Sequence, residues 1–334
     1  MNPLKVITAL FLITAAASVP LARAANEPAA PQSLPPSSQI KPAIGVAGYV
    51  LQSEYRFGTA PGKNIRSISD LQANFTPDAP WGRINGELQH FTNFLPVPWG
   101  SKSVPPEPEA AKRTHQFEAD ALILNSNHLG GKFTYGNIES GSIVTNATVK
   151  YPVIVEVLAK LPKGRAHWPS IWLYDYHSVK HTADEIDILE SQFNAPVGQR
   201  DNRNHVYQNS HGKYTTVQNF LMDKHGRYDA GVDLSKDYHY YSCQWFENGD
   251  VDMYVDGKRT VRRNIPWPVG EPNIIVMLST GSDKIDWPGP IITDSKDGTD
   301  TFSPDDPNST FKIRHIRIFK PAASPAPAAE VKAE

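Results

Sequence analysis

Short runs of alternating apolar and polar residues recur along most of the chain. Residues 250–255 (DVDMYV) and 312–318 (KIRHIRI) alternate with a period of two, as half-buried antiparallel strands do, and residues 153–157 (VIVEV) are mostly β-branched. Asp256-Gly257 follows the first of these runs and is typical of a tight hairpin turn. The best helical candidate, residues 108–113, predicts a single turn. The pattern therefore predicts an all-β protein, and at this length a sandwich of sheets.

The two ends of the chain differ in composition from its interior. Residues 1–24 combine a positive charge, an apolar stretch and the sequence Ala22-Arg23-Ala24, which is typical of a signal peptide. Residues 25–44 and 321–334 are rich in Pro and Ala, and we expect them to form a disordered leader and a disordered tail. We therefore expect one β-sandwich domain over residues 45–320, in a protein that is secreted or periplasmic.

Composition narrows the classes of partner. The formal net charge of −2 gives no global field that favours nucleic acid or an anionic membrane, and no segment is long and apolar enough to predict a membrane span. Cys243 is the only cysteine, so no intrachain disulfide can form and a structural zinc site is not expected. We expect a monomer that needs no cofactor and binds neither nucleic acid nor membrane.

One segment carries three acids at a spacing that suits catalysis. On a strand, Glu185 and Asp187 share one face, while strict alternation puts Glu190 on the opposite, apolar face. A one-residue bulge near Ile188 and Leu189 would return the third acid to the first face. Neighbouring carboxylates raise each other's pKa, and retaining glycoside hydrolysis needs one ionised and one protonated carboxyl group. A solvated strand edge with alternating acids is the alternative.

The surroundings of this segment resemble glycoside hydrolase family 16. Residues 168–173 (WPSIWL) precede a Glu-x-Asp-x-x-Glu sequence at 185–190, in the order and spacing of the family's laminarinase-like branch. Residues 85–91 (NGELQHF) are similar to an early segment of these enzymes, and residues 254–257 (YVDG) to their late hairpin. The resemblance implies a β-jelly-roll sandwich of two antiparallel sheets with a concave substrate groove.

The resemblance also implies roles for the acids. Glu185 would be the nucleophile, Glu190 the acid/base, and Asp187 would orient the nucleophile. The implied activity is that of a secreted, retaining endo-glycoside hydrolase, with β-1,3-glucan as the leading polysaccharide substrate. Three alternatives stay open: a depolymerase of mixed-linkage glucan, galactan or bacterial exopolysaccharide, a transglycosylase, and a non-catalytic glucan-binding protein. A structural calcium is common in the family, although no acidic loop here identifies a site for it.

Six further side chains are candidates for substrate contacts: Trp168, Trp172, His211, Trp287, Glu87 and Gln89. The ring faces of tryptophan stack on sugar rings, but the two tryptophans of residues 168–173 could equally pack in the core. The third lies in a loop rich in Pro and Gly. The histidine belongs to the strand expected after the acidic one. Glu87 and Gln89 could bind sugar hydroxyls or make structural hydrogen bonds.

Overall fold

The computed structural model describes residues 40–78, 86–100, 103–132, 134–163, 166–175, 185–192, 202–211, 217–223, 226–265, 271–281 and 310–322. The described residues all belong to the second of two units, Leu34–Glu334. The strands and helices of the second unit are, in chain order, β1 (Tyr49–Arg56), α1 (Ile68–Asn74), β2 (Phe75–Thr76), β3 (Gln89–Phe91), α2 (Pro108–Thr114), β4 (His115–Phe117), β5 (Leu122–Leu124), β6 (Ser126–His128), β7 (Ile138–Ser140), β8 (Ser142–Thr148), β9 (Val153–Lys160), β10 (His167–Tyr174), β11 (Glu185–Glu190), β12 (His205–His211), β13 (Val217–Asn219), β14 (Arg227–Asp229), β15 (His239–Trp245), β16 (Asp250–Val255), β17 (Lys258–Asn264), β18 (Asn273–Thr280) and β19 (Phe311–Pro321).

Two antiparallel sheets make up most of the described structure. The nine-stranded sheet has the order β13-β17-β16-β15-β9-β19-β5-β4, and β1 also pairs with the long strand β19. The seven-stranded sheet has the order β14-β12-β11-β10-β18-β8-β2. A small third sheet, β3-β7-β6, contains the parallel pair β3–β7. The predicted all-β class and the jelly-roll sandwich are confirmed, and the two alternating runs of the sequence form β16 and β19.

The core lies between the two large sheets. Ile171 and Ile188 of the seven-stranded sheet and Val155 and Trp245 of the nine-stranded sheet are fully buried in one apolar cluster. Burying a side chain of this size stabilises the fold by about 1.5–3 kcal/mol. Cys243 is also buried there as a free thiol. Because one face of β11 is anchored in this core, its opposite face is left for polar side chains.

Two short helices connect strands in the described part of the chain. Helix α2 (Pro108–Thr114) begins with proline, which suits the first helical turn, and it lies where the sequence predicts a single turn. Helix α1 (Ile68–Asn74) has no periodic pattern long enough to predict it, and it is capped by Ser67, whose hydroxyl accepts from the Asp70 N–H at 3.2 Å. No helix among the described residues is long and apolar enough to cross a membrane.

Both ends of the described unit pack on the nine-stranded sheet. Pro42 is buried, and the Ala43 N–H donates to Oε2 of the buried Glu156 at 2.6 Å. Strand β19 ends at Pro321, and the next N–H, that of Ala322, donates to the Gly48 carbonyl at 2.8 Å. The disorder expected for residues 25–44 therefore does not extend to residues 40–44, because a buried carboxylate there binds the backbone. Residues 1–39 and 323–334 lie outside the described residues.

Candidate active site

A β-bulge in strand β11 brings its three acids to one face. Against β10 the register shifts by one residue between Asp187 and Leu189, so that Ile188 is the extra residue. Ile188 and Leu189 are both fully buried in the core. Glu190 then lies close enough to Glu185 for the charge of Glu185 to raise the pKa of Glu190. The bulge predicted near Ile188 and Leu189 is confirmed.

Burial raises the pKa of all three acids, and the charges of neighbouring acids raise the pKa of Asp187 and of Glu190 further. Burial is the largest cause that raises the pKa of Glu190 to about 7, the charge of Glu185 adds to it, and a hydrogen bond from Trp168 opposes it. Burial and then the charges of Glu190 and Glu185 raise the pKa of Asp187 well above its ordinary range, whereas Arg263 lowers it. Burial also raises the pKa of Glu185, against the opposing charge of His211. With a pKa of about 7, Glu190 can therefore both hold and release a proton near neutral pH.

His211 lies beside the first two acids. It is the cross-strand partner of Glu185, and its Nε2 is 3.4 Å from Glu185 Oε1 and 3.5 Å from Asp187 Oδ2. Its side chain is 54% exposed, whereas that of Asp187 is 5% exposed. The structure thus places His211 where its protonated ring would offset the charge of both carboxylates.

The same three side chains form the one cluster among the described residues whose ligand atoms could hold a metal ion. The ligand atoms of Glu185, Asp187 and His211 all lie within 4.8 Å of one another. Two carboxylates and an imidazole suit zinc, whereas calcium prefers six to eight oxygen ligands. The donor set therefore fits a borderline transition metal better than calcium.

An aromatic strip continues from the acids along the sheet. Asp187 pairs with Trp172 on β10, and Trp172 pairs with Ile275 on β18, so the three follow one line across the strands. Trp172 and Tyr174 lie with ring centroids 5.5 Å apart, and both pack with Trp99 on a small apolar cluster at Ile275. Trp172 and Tyr174 are two residues apart on β10, so the alternation of side chains along the strand could have placed Tyr174 on the same face. Trp99 comes from a distant loop, and no local signal identifies it.

Trp168 has a different environment from Trp172, although both lie on β10. It is only 6% exposed, and its indole Nε1 donates to Glu190 Oε1 at 3.1 Å. So little exposed ring surface disfavours stacking on a sugar, and the substrate contact considered for Trp168 stays a prediction. The structure instead places this tryptophan as a hydrogen-bond donor to the third acid.

The remaining candidates are buried or lie outside the described residues. Gln89 is 5% exposed, and its Oε1 accepts from the backbone N–H of Thr280 at 2.7 Å, which ties β3 to the end of β18. Of the two roles left open for Gln89, the structure therefore shows the structural one. Glu87 is 6% exposed, in the segment just before β3. Trp287 lies outside the described residues.

Sequence comparison gives one family and several curated relatives. The profile of glycosyl hydrolases family 16 matches residues 109–290. Glucan endo-1,3-beta-glucosidase A1 of Niallia circulans is 27% identical over 300 residues, an alignment that covers 84% of this chain and 39% of that protein. A beta-glucanase of Acetivibrio thermocellus is 31% identical over 136 residues, with coverage of 38% and 40%. A beta-1,3-glucan-binding protein of Penaeus monodon is 30% identical over 106 residues, with coverage of 30% and 28%. The chain thus spans less than half the length of these relatives.

Similar solved structures agree on the fold. The endo-β-1,3-glucanase of Pyrococcus furiosus superposes with a TM-score of 0.54 at 19% identity, over 83% of this chain and 96% of that one. The β-agarase A of Zobellia galactanivorans superposes with a TM-score of 0.54 at 18% identity, over 83% and 93%. At these identities the likeness concerns the sandwich, and it carries no information on the sugar.

Proposed function

The chain belongs to glycosyl hydrolase family 16, and from that premise we propose that it is a retaining endo-glycoside hydrolase of the endo-β-glucanase type. The observation that carries the proposal is the face of β11, where a bulge aligns three acids and burial raises the pKa of Glu190 to about 7. A carboxyl group with that pKa can donate a proton near neutral pH and take it back later in the same cycle.

In the proposed reaction Glu185 and Glu190 have complementary roles. The Glu185 carboxylate attacks the anomeric carbon while the Glu190 carboxyl group gives its proton to the leaving glycosidic oxygen, which breaks the glycosidic bond and leaves a covalent glycosyl-enzyme. Glu190, now ionised, then removes a proton from water. The resulting hydroxide attacks the anomeric carbon and releases Glu185. One water is consumed for each bond broken, and both acids return to their starting states.

Asp187 and His211 are proposed to tune the nucleophile. Asp187 lies between the two catalytic acids along β11, and its high pKa suits a protonated carboxyl group that hydrogen-bonds Glu185. His211 Nε2, 3.4 Å from Glu185 Oε1, stabilises the ionised nucleophile whenever the ring is protonated. The pair would keep Glu185 charged and oriented while Glu190 holds its proton.

The proposed substrate is a β-1,3-glucan. Two relatives carry the names glucan endo-1,3-beta-glucosidase and beta-glucanase. The half-buried ring of Trp172, beside Asp187 in the cross-strand row, offers a face on which a glucose ring next to the cleaved bond could stack. Mixed-linkage glucan, galactan and bacterial exopolysaccharide are the alternative substrates, and transglycosylation through the same intermediate is the alternative reaction. Reducing-end release from a panel of these polysaccharides distinguishes the substrates.

Azide rescue tests the assignment of the two glutamates. Glu185→Ala should abolish hydrolysis, and azide should restore turnover with an inverted glycosyl azide, because the anion attacks from the vacated face. Glu190→Ala should still form the glycosyl-enzyme from substrates with a good leaving group, and azide should then give the retained product. Azide products of the opposite configurations would exchange the two roles. If neither substitution lowers turnover, the acids are only a solvated strand edge.

A non-catalytic glucan-binding function is the second candidate, because one relative carries the name beta-1,3-glucan-binding protein. The two functions make different predictions for the same protein. A binding protein would be slowed by laminarin in an affinity gel and would release no reducing ends. The three acids of β11 favour the enzyme, since binding alone does not need carboxyl groups with raised pKa values.

Secretion and oligomeric state belong to the same proposal. The composition of residues 1–24 supports export to the periplasm or medium. We propose a monomer that binds a polysaccharide and neither nucleic acid nor membrane, and that needs no cofactor for turnover. Cell fractionation, light scattering and an assay in EDTA test export, the monomeric state and turnover without a metal cofactor, respectively.

A further inference from the structure

Gln208 of β12 lies directly opposite the bulge. In the ladder between β11 and β12, Asp187 pairs with Asn209 and Glu190 pairs with Tyr207, so one residue of β12 faces the two residues Ile188 and Leu189. That residue is Gln208, and it is 1% exposed. Its side chain therefore points into the core, a position where an apolar residue would be expected.

The buried amide of Gln208 is hydrogen-bonded at both ends. Its Nε2 donates to the Ile188 carbonyl at 2.8 Å and lies 3.5 Å from the Tyr254 carbonyl of β16. Its Oε1 accepts from the hydroxyl of Thr260, which is fully buried on β17. The amide thus connects the bulge of the seven-stranded sheet to two strands of the nine-stranded sheet.

The bulge places the Ile188 carbonyl opposite the Gln208 amide, which donates a hydrogen bond to it. The extra residue interrupts the ladder, and a buried carbonyl without a partner costs about 1–3 kcal/mol. The amide of Gln208 donates to this carbonyl, and the Thr260 hydroxyl, which donates to the amide oxygen, holds the amide in that orientation. The main chain of Gln208 is held as well, since Arg263 Nη2 donates to its carbonyl at 3.4 Å.

We propose that Gln208 is a positioning residue that locks the bulge and so keeps Glu190 aligned with Glu185. The inference rests on the proposed function, because it assigns Gln208 a role in that reaction. Without the amide, the carbonyl of the extra residue would seek a partner in the ladder. The strand would then shift toward regular register, which turns Glu190 toward the apolar side. A displacement of about 1 Å at a reacting group is enough to lower the rate about 100-fold.

The test compares Gln208→Leu with a matched control, Gln244→Leu. Gln244 is also a buried glutamine, 5% exposed, but it lies on β15 and its side-chain contacts are the hydroxyls of Tyr49 and Tyr254. We expect Gln208→Leu to lower kcat about 100-fold with KM within about threefold of wild type. In this variant the pKa of Glu190 should rise, because the carboxyl group moves into a more apolar environment. The control should lose similar thermal stability and keep both kcat and the Glu190 pKa.

Thr260→Val provides a milder variant in case Gln208→Leu does not fold. It keeps the donor to the bulge carbonyl but frees the amide to rotate, and we expect kcat to fall about 3- to 10-fold. Carbon-13 NMR titration of the glutamate carboxyl groups reads the pKa of Glu190 without turnover. A wild-type protein that hydrolyses no glycan would refute the proposed function, while the titration would still test the role of Gln208. Equal kcat and equal Glu190 pKa in Gln208→Leu and Gln244→Leu would overturn the inference.

Discussion

Replacing Trp168 by phenylalanine should move the pH range of the proposed hydrolysis. The indole Nε1 donates to Glu190 Oε1 at 3.1 Å, and this bond lowers the Glu190 pKa against the effect of burial. Trp168→Phe keeps an aromatic ring in the buried site and removes the donor. The hydrogen bond stabilises the ionised carboxylate more than the protonated carboxyl group. Its loss should therefore raise the pKa of Glu190 above about 7.

The size of the shift follows from the strength of the lost bond. A hydrogen bond to a charged acceptor contributes about 1.5–3 kcal/mol, and 1.36 kcal/mol corresponds to one pKa unit. Water can replace part of the bond because Glu190 is partly exposed, so the lower end applies. We therefore expect the pKa of Glu190 to move from about 7 to ~8.

The assay is kcat/KM for a β-1,3-glucan between pH 5 and 10. Because the proposed acid must be protonated, activity falls above its pKa, and this basic limb should shift to higher pH by about one unit. Trp172→Phe is the control, since no hydrogen bond from Trp172 to an acid is present among the described residues. It should change KM and leave the limb in place. A limb for Trp168→Phe that coincides with the wild-type limb, or that lies at lower pH, would refute the reasoning.

Three further predictions concern stability, metals and the N-terminal segment. Glu190 has a pKa of about 7 in the fold against 4.5 as the reference, so its ionisation destabilises the fold as pH rises through that window; Glu190→Gln should be up to ~3 kcal/mol more stable at pH 8 and no more stable at pH 4 in urea unfolding. Zn²⁺ should inhibit hydrolysis reversibly by binding at the cluster that includes His211; His211→Ala should raise the inhibition constant about 10-fold or more, and an unchanged constant would place the metal elsewhere. Deleting residues 1–39 should leave Tm unchanged, whereas deleting 1–44 should lower it by several degrees, because the buried Glu156 loses its backbone donor; equal Tm values would contradict this.

The strands and the acids could be read from the sequence because their signals are local. Side chains alternate along any strand, so β16 and β19 are visible as alternating runs. The bulge is also a local inference. Two residues separate Asp187 from Glu190, and an acid on the apolar face would be too costly, so an extra residue was needed to return Glu190 to the polar face.

Only the tertiary structure decided which of the side chains on that face are covered. Trp168 and Trp172 share a strand and a period, yet the first is buried against Glu190 and the second forms part of the aromatic strip. The difference depends on what lies above each ring, and sequence spacing carries no information about that.

The hydrogen-bond partners of buried polar side chains could not be predicted from the sequence either. Gln89 accepts from Thr280, and Gln208 accepts from Thr260 on the opposite sheet. These contacts join residues far apart in the chain, and the order of strands in the two sheets brings them together. A buried amide needs a hydrogen-bond partner, but the alternation of side chains along the strand shows only that the amide points inward. Which group meets it depends on the packing of one sheet on the other.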